Sequence, residues 1–168
     1  MFVGLNSGRM ITSGKFNIGL GSNALAKNTS GFWNTAIGET TLADNDVGSR
    51  NIAIGRRALA ENTTGNRNIA IGTFAMNHNT TGHHNIGIGA DALDQCTTGE
   101  YNTGIGFSTM YYLTEGKNNV AAGNGAGHKI TTGSCNVAIG KDALYKTTTR
   151  SNNVAIGLNA LYGMTDGF

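Results

Sequence analysis

Asn51-Ile52-Ala53-Ile54-Gly55-Arg56-Arg57-Ala58-Leu59-Ala60-Glu61-Asn62-Thr63-Thr64-Gly65-Asn66-Arg67 is followed at once by Asn68-Ile69-Ala70-Ile71-Gly72, the opening of the same phrase. The interval of 17 residues holds along the chain, with Asn at 17, 34, 51, 68, 85, 102, 119, 136 and 153 and no insertion or deletion between them. Counting that Asn as slot 0, the unit reads Asn, β-branched, Ala or Gly, Ile, Gly, two variable, Ala, Leu, two variable, Asn, Thr, Thr, Gly, two variable. So short a period cannot hold a helical hairpin, and it suits one coil of a solenoid in which each turn stacks on the last. The spacing predicts an all-β chain, a parallel β-solenoid of ten 17-residue coils forming one repeat domain over residues 1–168. At the ~4.8 Å separation of hydrogen-bonded strands, ten coils make a rod roughly 48 Å long.

The slots outline a cross-section. Slot 1 is β-branched in nine of ten copies and slot 3 is Ile in seven. Side chains alternate along a strand, so these two slots share one face. They are read as interior, with Ile37, Ile54, Ile71, Ile88 and Ile139 as repeat core together with Leu59, Leu93 and Leu144 of slot 8. Slot 2 is Ala or Gly in every copy but Phe2. A water-facing slot would not be held to small residues, so this second face is expected to press against something. Gly fills slot 4 in all ten copies and slot 14 in nine, as corners needing positive φ or a close backbone approach would require. Where slot 8 is Gly (Gly8, Gly127), slot 11 carries Ile11 or Ile130, so the two slots are expected to share one interior volume. All 22 Lys, Arg, Asp and Glu residues avoid slots 0 to 4, 7, 8 and 11. The interior is thereby marked by what is absent as well as by what is present.

Composition narrows the function classes. The chain has 26 Gly, no Pro, 13% charged residues and a formal net charge of +2. That is neither a collagen nor a disordered tail. So small a net charge makes no basic stripe for nucleic acid. No apolar run is long enough to span a bilayer as a helix, and membrane insertion is not expected. The opening Met1-Phe2-Val3-Gly4-Leu5-Asn6 lacks the basic and apolar regions of a secretory leader. Catalysis needs titratable groups converging in a pocket. Here every acid and base is expected outside an aliphatic interior, so neither an enzyme nor a cofactor is expected.

The phrase Asn-x-Ala-Ile-Gly with a small residue three slots later, as in Asn51 to Gly55 with Ala58, resembles the head repeats of trimeric autotransporter adhesins. With Ala58-Leu59 and Asn62 to Gly65 added, it is similar to repeat arrays of phage tail-fibre proteins and bacterial surface proteins. The resemblance covers essentially the whole chain. It implies a left-handed β-roll and a side-by-side homotrimer, with the small slot-2 residues where neighbouring rolls meet. It also implies an extracellular place on a virion tail fibre or a bacterial cell surface. The function expected from it is a non-enzymatic structural and adhesive fibre module whose partners are copies of itself and a host cell-surface glycan or protein. Neither end carries a polar cap, so a filament subunit stacking head to tail is the second reading. An ice-binding solenoid using its Thr files is the third.

Candidate site residues fall in the outer slots. Trp33, Tyr101, Tyr111, Tyr112, Tyr145 and Tyr162 occupy variable positions and read as surface contacts. Asn28, Asn62 and Asn79 open N-glycosylation sequons, which the repeat also generates without any modification. Thr fills slot 12 in nine copies, and its hydroxyls are expected to satisfy turn backbone. Cys96 and Cys135 lie two coils apart, an axial offset of about 10 Å against a disulfide limit of roughly 7 Å, so both are expected as free thiols. His78, His83, His84 and His128 read as a solvated patch, because a metal site needs three or four convergent ligands. Gly123-Asn124-Gly125-Ala126-Gly127 lacks the spacing of a phosphate loop and reads as a thinned coil.

Overall fold

The computed structural model describes residues 1–165; residues 166–168, including Phe168 at slot 15, lie outside the described residues. Ten short strands follow the repeat: β1 (Phe2–Val3), β2 (Ile18–Leu20), β3 (Thr35–Ile37), β4 (Ile52–Ile54), β5 (Ile69–Ile71), β6 (Ile86–Ile88), β7 (Thr103–Ile105), β8 (Val120–Ala122), β9 (Val137–Ile139) and β10 (Val154–Ile156). They form one parallel sheet in sequence order. Like pairs with like, Ile52 with Ile69, Ala53 with Ala70 and Ile54 with Ile71. The chain is a parallel β-solenoid of about nine turns, with no helix among the described residues.

Each strand is bounded by two chemical stops. At the start of β2 to β9, slot-0 Asn is buried. Asn34 Nδ2 donates to the Gly48 carbonyl of its own coil at 2.8 Å, and its Oδ1 accepts the backbone N–H of Asn51 in the next coil at 3.0 Å. The same pair recurs at Asn51, Asn68, Asn85, Asn102 and Asn119. At the strand's end, slot-4 Gly leaves for the opposite wall at a φ such as +129° in Gly55. A Cβ there would stand 2.5 Å from the Gly72 carbonyl oxygen. Slot-14 Gly has ordinary φ and serves the other purpose, since a Cβ on Gly65 would meet the Gly82 oxygen at 2.5 Å.

The wall opposite the sheet is not a β-strand. Slots 6 and 8 are left-handed, as in Arg57 (φ 57°) and Leu59 (φ 53°), and so is slot 16 at the return corner, as in Arg67 (φ 57°). Left-handed backbone costs an L-residue about 1–2 kcal/mol. Ladder bonds offset that cost: Arg57 N–H donates back to Glu39 O at 2.9 Å, while Leu59 and Glu61 N–H donate forward to Ala75 O and Asn77 O at 3.0 Å. Slot 6 hints at this conformation, being Asn, Asp or Gly in six of ten copies, whereas Leu at slot 8 gives no sign of it.

The burial corrects the expected cross-section. Slot 2 faces inward: Ala36, Ala53, Ala70 and Ala138 are buried against slot-8 side chains, with Leu25, Leu42, Leu59, Leu93 and Leu144 fully enclosed. The roll is thin, so Leu from one wall leaves room for only Ala or Gly on the other. A Cβ on Gly87 would already lie 2.9 Å from Met76 Cγ. The exception obeys the same limit, because Phe2 at slot 2 lies over Gly8 at slot 8. Ile130 likewise ends 3.0 Å from where a Gly127 Cβ would be, with Met110 beside it. Slots 1 and 3 therefore point outward. Ile37, Ile54, Ile71 and Ile139, read from sequence as core, are 36–39% exposed, and Ile88 is half-buried.

Two substitutions and one control test these constraints in denaturant unfolding. Gly72→Ala places a side chain at φ +135° against the Gly89 carbonyl, and should cost about 1–3 kcal/mol or more. Thr73→Ala, on the exposed neighbouring slot, should stay within about 0.5 kcal/mol. Asn85→Ala orphans the buried Asn102 N–H and leaves the Gly99 carbonyl only the weak Cys96 thiol as donor, which should cost about 1–3 kcal/mol for the unsatisfied N–H. Stability unchanged in Asn85→Ala would show that the amide does not hold the coils.

Candidate functional site

Asn28, Asn62 and Asn79 are fully buried. Asn62 Nδ2 donates to Asn45 Oδ1 at 2.6 Å and to the Gly65 carbonyl at 3.1 Å, and Asn79 Nδ2 donates to Asn62 Oδ1 at 2.7 Å. A glycan on any of them would have to leave this interior amide file, so the folded rod has no accommodation for glycosylation at these sequons. The slot-12 hydroxyls are also engaged. Thr63, Thr80, Thr97 and Thr114 each donate to the slot-12 carbonyl of the next coil at 3.0–3.3 Å.

The aromatic candidates lie outside and gather into files at the coil spacing. In slot 16, Phe16 stacks on Trp33 at 6.0 Å and the Arg50 guanidinium covers the Trp33 ring at 4.7 Å. Arg67 meets His84 at 3.3 Å, and His84 stacks on Tyr101 at 4.8 Å. In slot 9 a second file runs Tyr111, His128, Tyr145, Tyr162, with centroids 5.6, 4.9 and 5.1 Å apart. Tyr112 sits edge-on to Tyr111 and His128. Stacked pairs of this kind contribute about 0.5–1.5 kcal/mol each. The same rings thus stabilise neighbouring coils and present flat polarisable surface along the rod.

The thiols are free, Cys96 buried and Cys135 exposed. Burial pushes the Cys96 thiol up to about 12, which leaves it an inert core atom. The histidines do not converge: His83 Nδ1 accepts the Asn66 N–H at 3.0 Å, and His128 belongs to the slot-9 file. Among the described residues no three His, Cys, Asp or Glu side chains group to hold a metal ion.

One acid breaks the expectation that every charge lies outside. Slot 9 is Ala26, Ala43 and Ala60 in three successive coils, then Asn77 and Asp94, then Tyr111. The Asp94 side chain is only 6% exposed. Its Oδ2 accepts from Gln95 Nε2 at 2.6 Å, but its Oδ1 has no hydrogen-bond partner. His78 Nδ1 stands 3.5 Å from Oδ1, giving charge attraction when the imidazole is protonated. Burial raises the Asp94 carboxyl above its ordinary 3.8, and the Gln95 amide and His78 offset this only in part. Around Asp94 an open cleft of about 410 Å³ spans several coils, with Phe74 and Tyr111 as ring walls and Arg57, Asn77 and Asp91 among its polar lining. In the sequence, slot 9 belongs with the variable outer slots, which hides Asp94 among the surface charges. The available signal was a carboxylate entering a file that three neighbouring coils fill with Ala.

The longest uniform surface is the sheet face. Slots 1 and 3 run beside each other on every strand, half-buried to exposed, and none of their twenty positions carries a charge. No protein-family model, curated protein or solved structure matches the chain.

The raised Asp94 carboxyl fixes the sign of a pH effect. Between its ordinary value and its raised native value the folded rod holds a proton that the unfolded chain releases, so stability falls as pH rises through that window. Asp94→Asn should therefore be more stable than the parent at neutral pH, and the advantage should vanish below pH 3.8, where both states are protonated. Urea unfolding of both chains across pH 3 to 8 checks this. A constant difference over the whole range would contradict it.

Proposed function

We propose that this chain is a non-enzymatic fibre module, a rigid rod that associates side by side with two further copies through its exposed aliphatic sheet face. The observation that carries the reading is the sheet face itself. A surface file meant for water would collect Lys, Glu or Ser in some of its copies. Slots 1 and 3 instead keep Ile, Val, Leu and Thr in nearly every coil, facing outward. Contiguous apolar surface of this extent marks an association site. In parallel register each coil repeats the same contact, so affinity builds with length and three rods enclose all three faces.

This moves the interface expected from sequence by one residue along the strand. The small slot-2 residues line the inside of each roll, and their Ile neighbours form the outer contact. On the likeness in the repeats, the setting is a phage tail fibre or a bacterial surface adhesin, extracellular in both cases. The adhesive part of the reading rests on the stacked rings of Trp33, Tyr101, Tyr111, Tyr145 and Tyr162, which offer repeated weak contacts that add by avidity. Ice binding is the weaker alternative, because the slot-12 hydroxyls already donate to backbone.

Sedimentation velocity across a hundredfold range of concentration tests the assembly. The expected result is a trimer, with the paired Ile54→Glu and Ile71→Glu substitution giving folded monomer, since both residues lie outside the core. A parent chain that sediments as a monomer at every concentration overturns the proposal.

A further inference from the structure

We infer that the open cleft at Arg50 and Arg67 is a subsite for a tetrahedral oxyanion, the sulfate or phosphate ester of an acidic surface polysaccharide. The polysaccharide rests on the adhesive part of the reading above, and the trimer plays no part in it.

Arg50 and Arg67 hold slot 16 of successive coils. Both stand at left-handed φ, 60° and 57°, and their N–H groups donate to Phe32 O and Ser49 O at 3.0 and 3.1 Å along one ladder. Their exposed side chains therefore leave the backbone side by side, at about the 4.8 Å strand spacing. Like charges placed across a ladder repel. Elsewhere on the rod Lys27, Arg57 and Lys117 each meet a carboxylate at 2.9 to 4.0 Å. Among the described residues neither Arg50 nor Arg67 has an ion pair. Glu100, which follows His83 in the slot-15 file, is held by Lys117 at 3.2 Å, and Asp46 of slot 12 accepts the Thr29 hydroxyl.

The two guanidiniums share a cleft of about 340 Å³ with His83, and no carboxylate lines it. What they present to it is donors. Arg50 lies over the Trp33 and Phe32 rings, at 4.7 and 5.4 Å, a contact that uses the flat face of the guanidinium and leaves its N–H edge free. Arg67 donates one N–H to His84 Nε2 at 3.3 Å and keeps the rest of its fork. His83 Nδ1 accepts the Asn66 N–H at 3.0 Å, so its ring hydrogen sits on Nε2 as a further donor. Guanidinium forks match oxyanions, gripping two oxygens at once. A carboxylate has two oxygens, enough for one fork. A sulfate or phosphate ester has three free oxygens, which two forks and an imidazole N–H can divide between them.

The test uses the full chain and saturation-transfer NMR, with glucose 6-sulfate and glucose 6-phosphate as probes and glucuronate and glucose as comparisons. At least one ester should bind more tightly than either comparison. Arg50→Gln combined with Arg67→Gln should weaken that ester about tenfold or more, as the loss of charge-assisted hydrogen bonds requires. Asn118 and Asn152 already occupy slot 16 at left-handed φ, so the amide variant keeps the fold. Lys129→Gln combined with Lys146→Gln removes two charges from slot 10 of successive coils and should leave binding within about twofold. Binding of the sulfate alone supports the site and points to a sulfated polysaccharide, and binding of the phosphate alone supports it and points to a phosphate-bearing one. Failure of both esters overturns the site. Glucuronate or glucose bound as tightly as the esters does the same, as does an equal loss in the lysine variant. The adhesive reading fails on a separate observation, namely labelled rods that attach to no bacterial or animal cell surface.

Discussion

A single buried amide per coil holds the architecture in register. Slot-0 Asn carries one donor to the slot-14 carbonyl of its own coil and one acceptor for the next coil's backbone N–H. The first bond closes the turn on itself, and the second seats the following turn. Both ends of the amide are needed, which Asp, Leu or Ser cannot supply with the same reach. A shift of one residue would bury an N–H without a partner in every coil it touched. That explains why the interval of 17 residues never varies, while the outer slots drift freely between Arg, Phe, Ser and Gly.

From that register follows the thinness of the roll, which decides what each slot can hold. With Leu reaching across from slot 8, the facing strand has room for a methyl group at most, and the bulky members of the strand must turn outward. The Phe2 and Gly8 exchange shows the volume to be shared between walls, since a ring enters from one side only where the other has retreated. The interior is completed by polar side chains as well as apolar ones. Asn28, Asn45, Asn62 and Asn79 make an amide file that passes into Cys96, Leu113 and Ile130 without altering the backbone path.

Much of this architecture is legible in the residues alone, and what is not has physical causes. Period, strand positions and parallel stacking follow from the unbroken Asn spacing. Which face of the strand was inside did not follow, because both faces lack charge and hydrophobic bulk ordinarily marks the core. Only the distance between walls reverses that preference, and distance is not written in composition. The left-handed wall was half visible, in the Asn, Asp and Gly of slot 6 but not in the Leu of slot 8. Asp94 stayed hidden because its slot is outer in late coils and buried in early ones. The aromatic candidates stand in variable slots, and their stacking follows from Tyr111, Tyr145 and Tyr162 sharing one slot at the coil spacing.

Every bond between coils runs along the axis of the rod, from the strand pairs to the amide and hydroxyl ladders. An axial pull therefore shares its load among all the bonds of one junction, while every junction along the rod carries the same tension. Strength is then set by the weakest junction, while extensibility grows with the number of coils. A sideways force meets a different object, because bending compresses hydrogen-bonded backbone on one flank and stretches it on the other. The chain is built as a stiff, short-ranged mechanical link, one that transmits force along its length with little give until a junction parts.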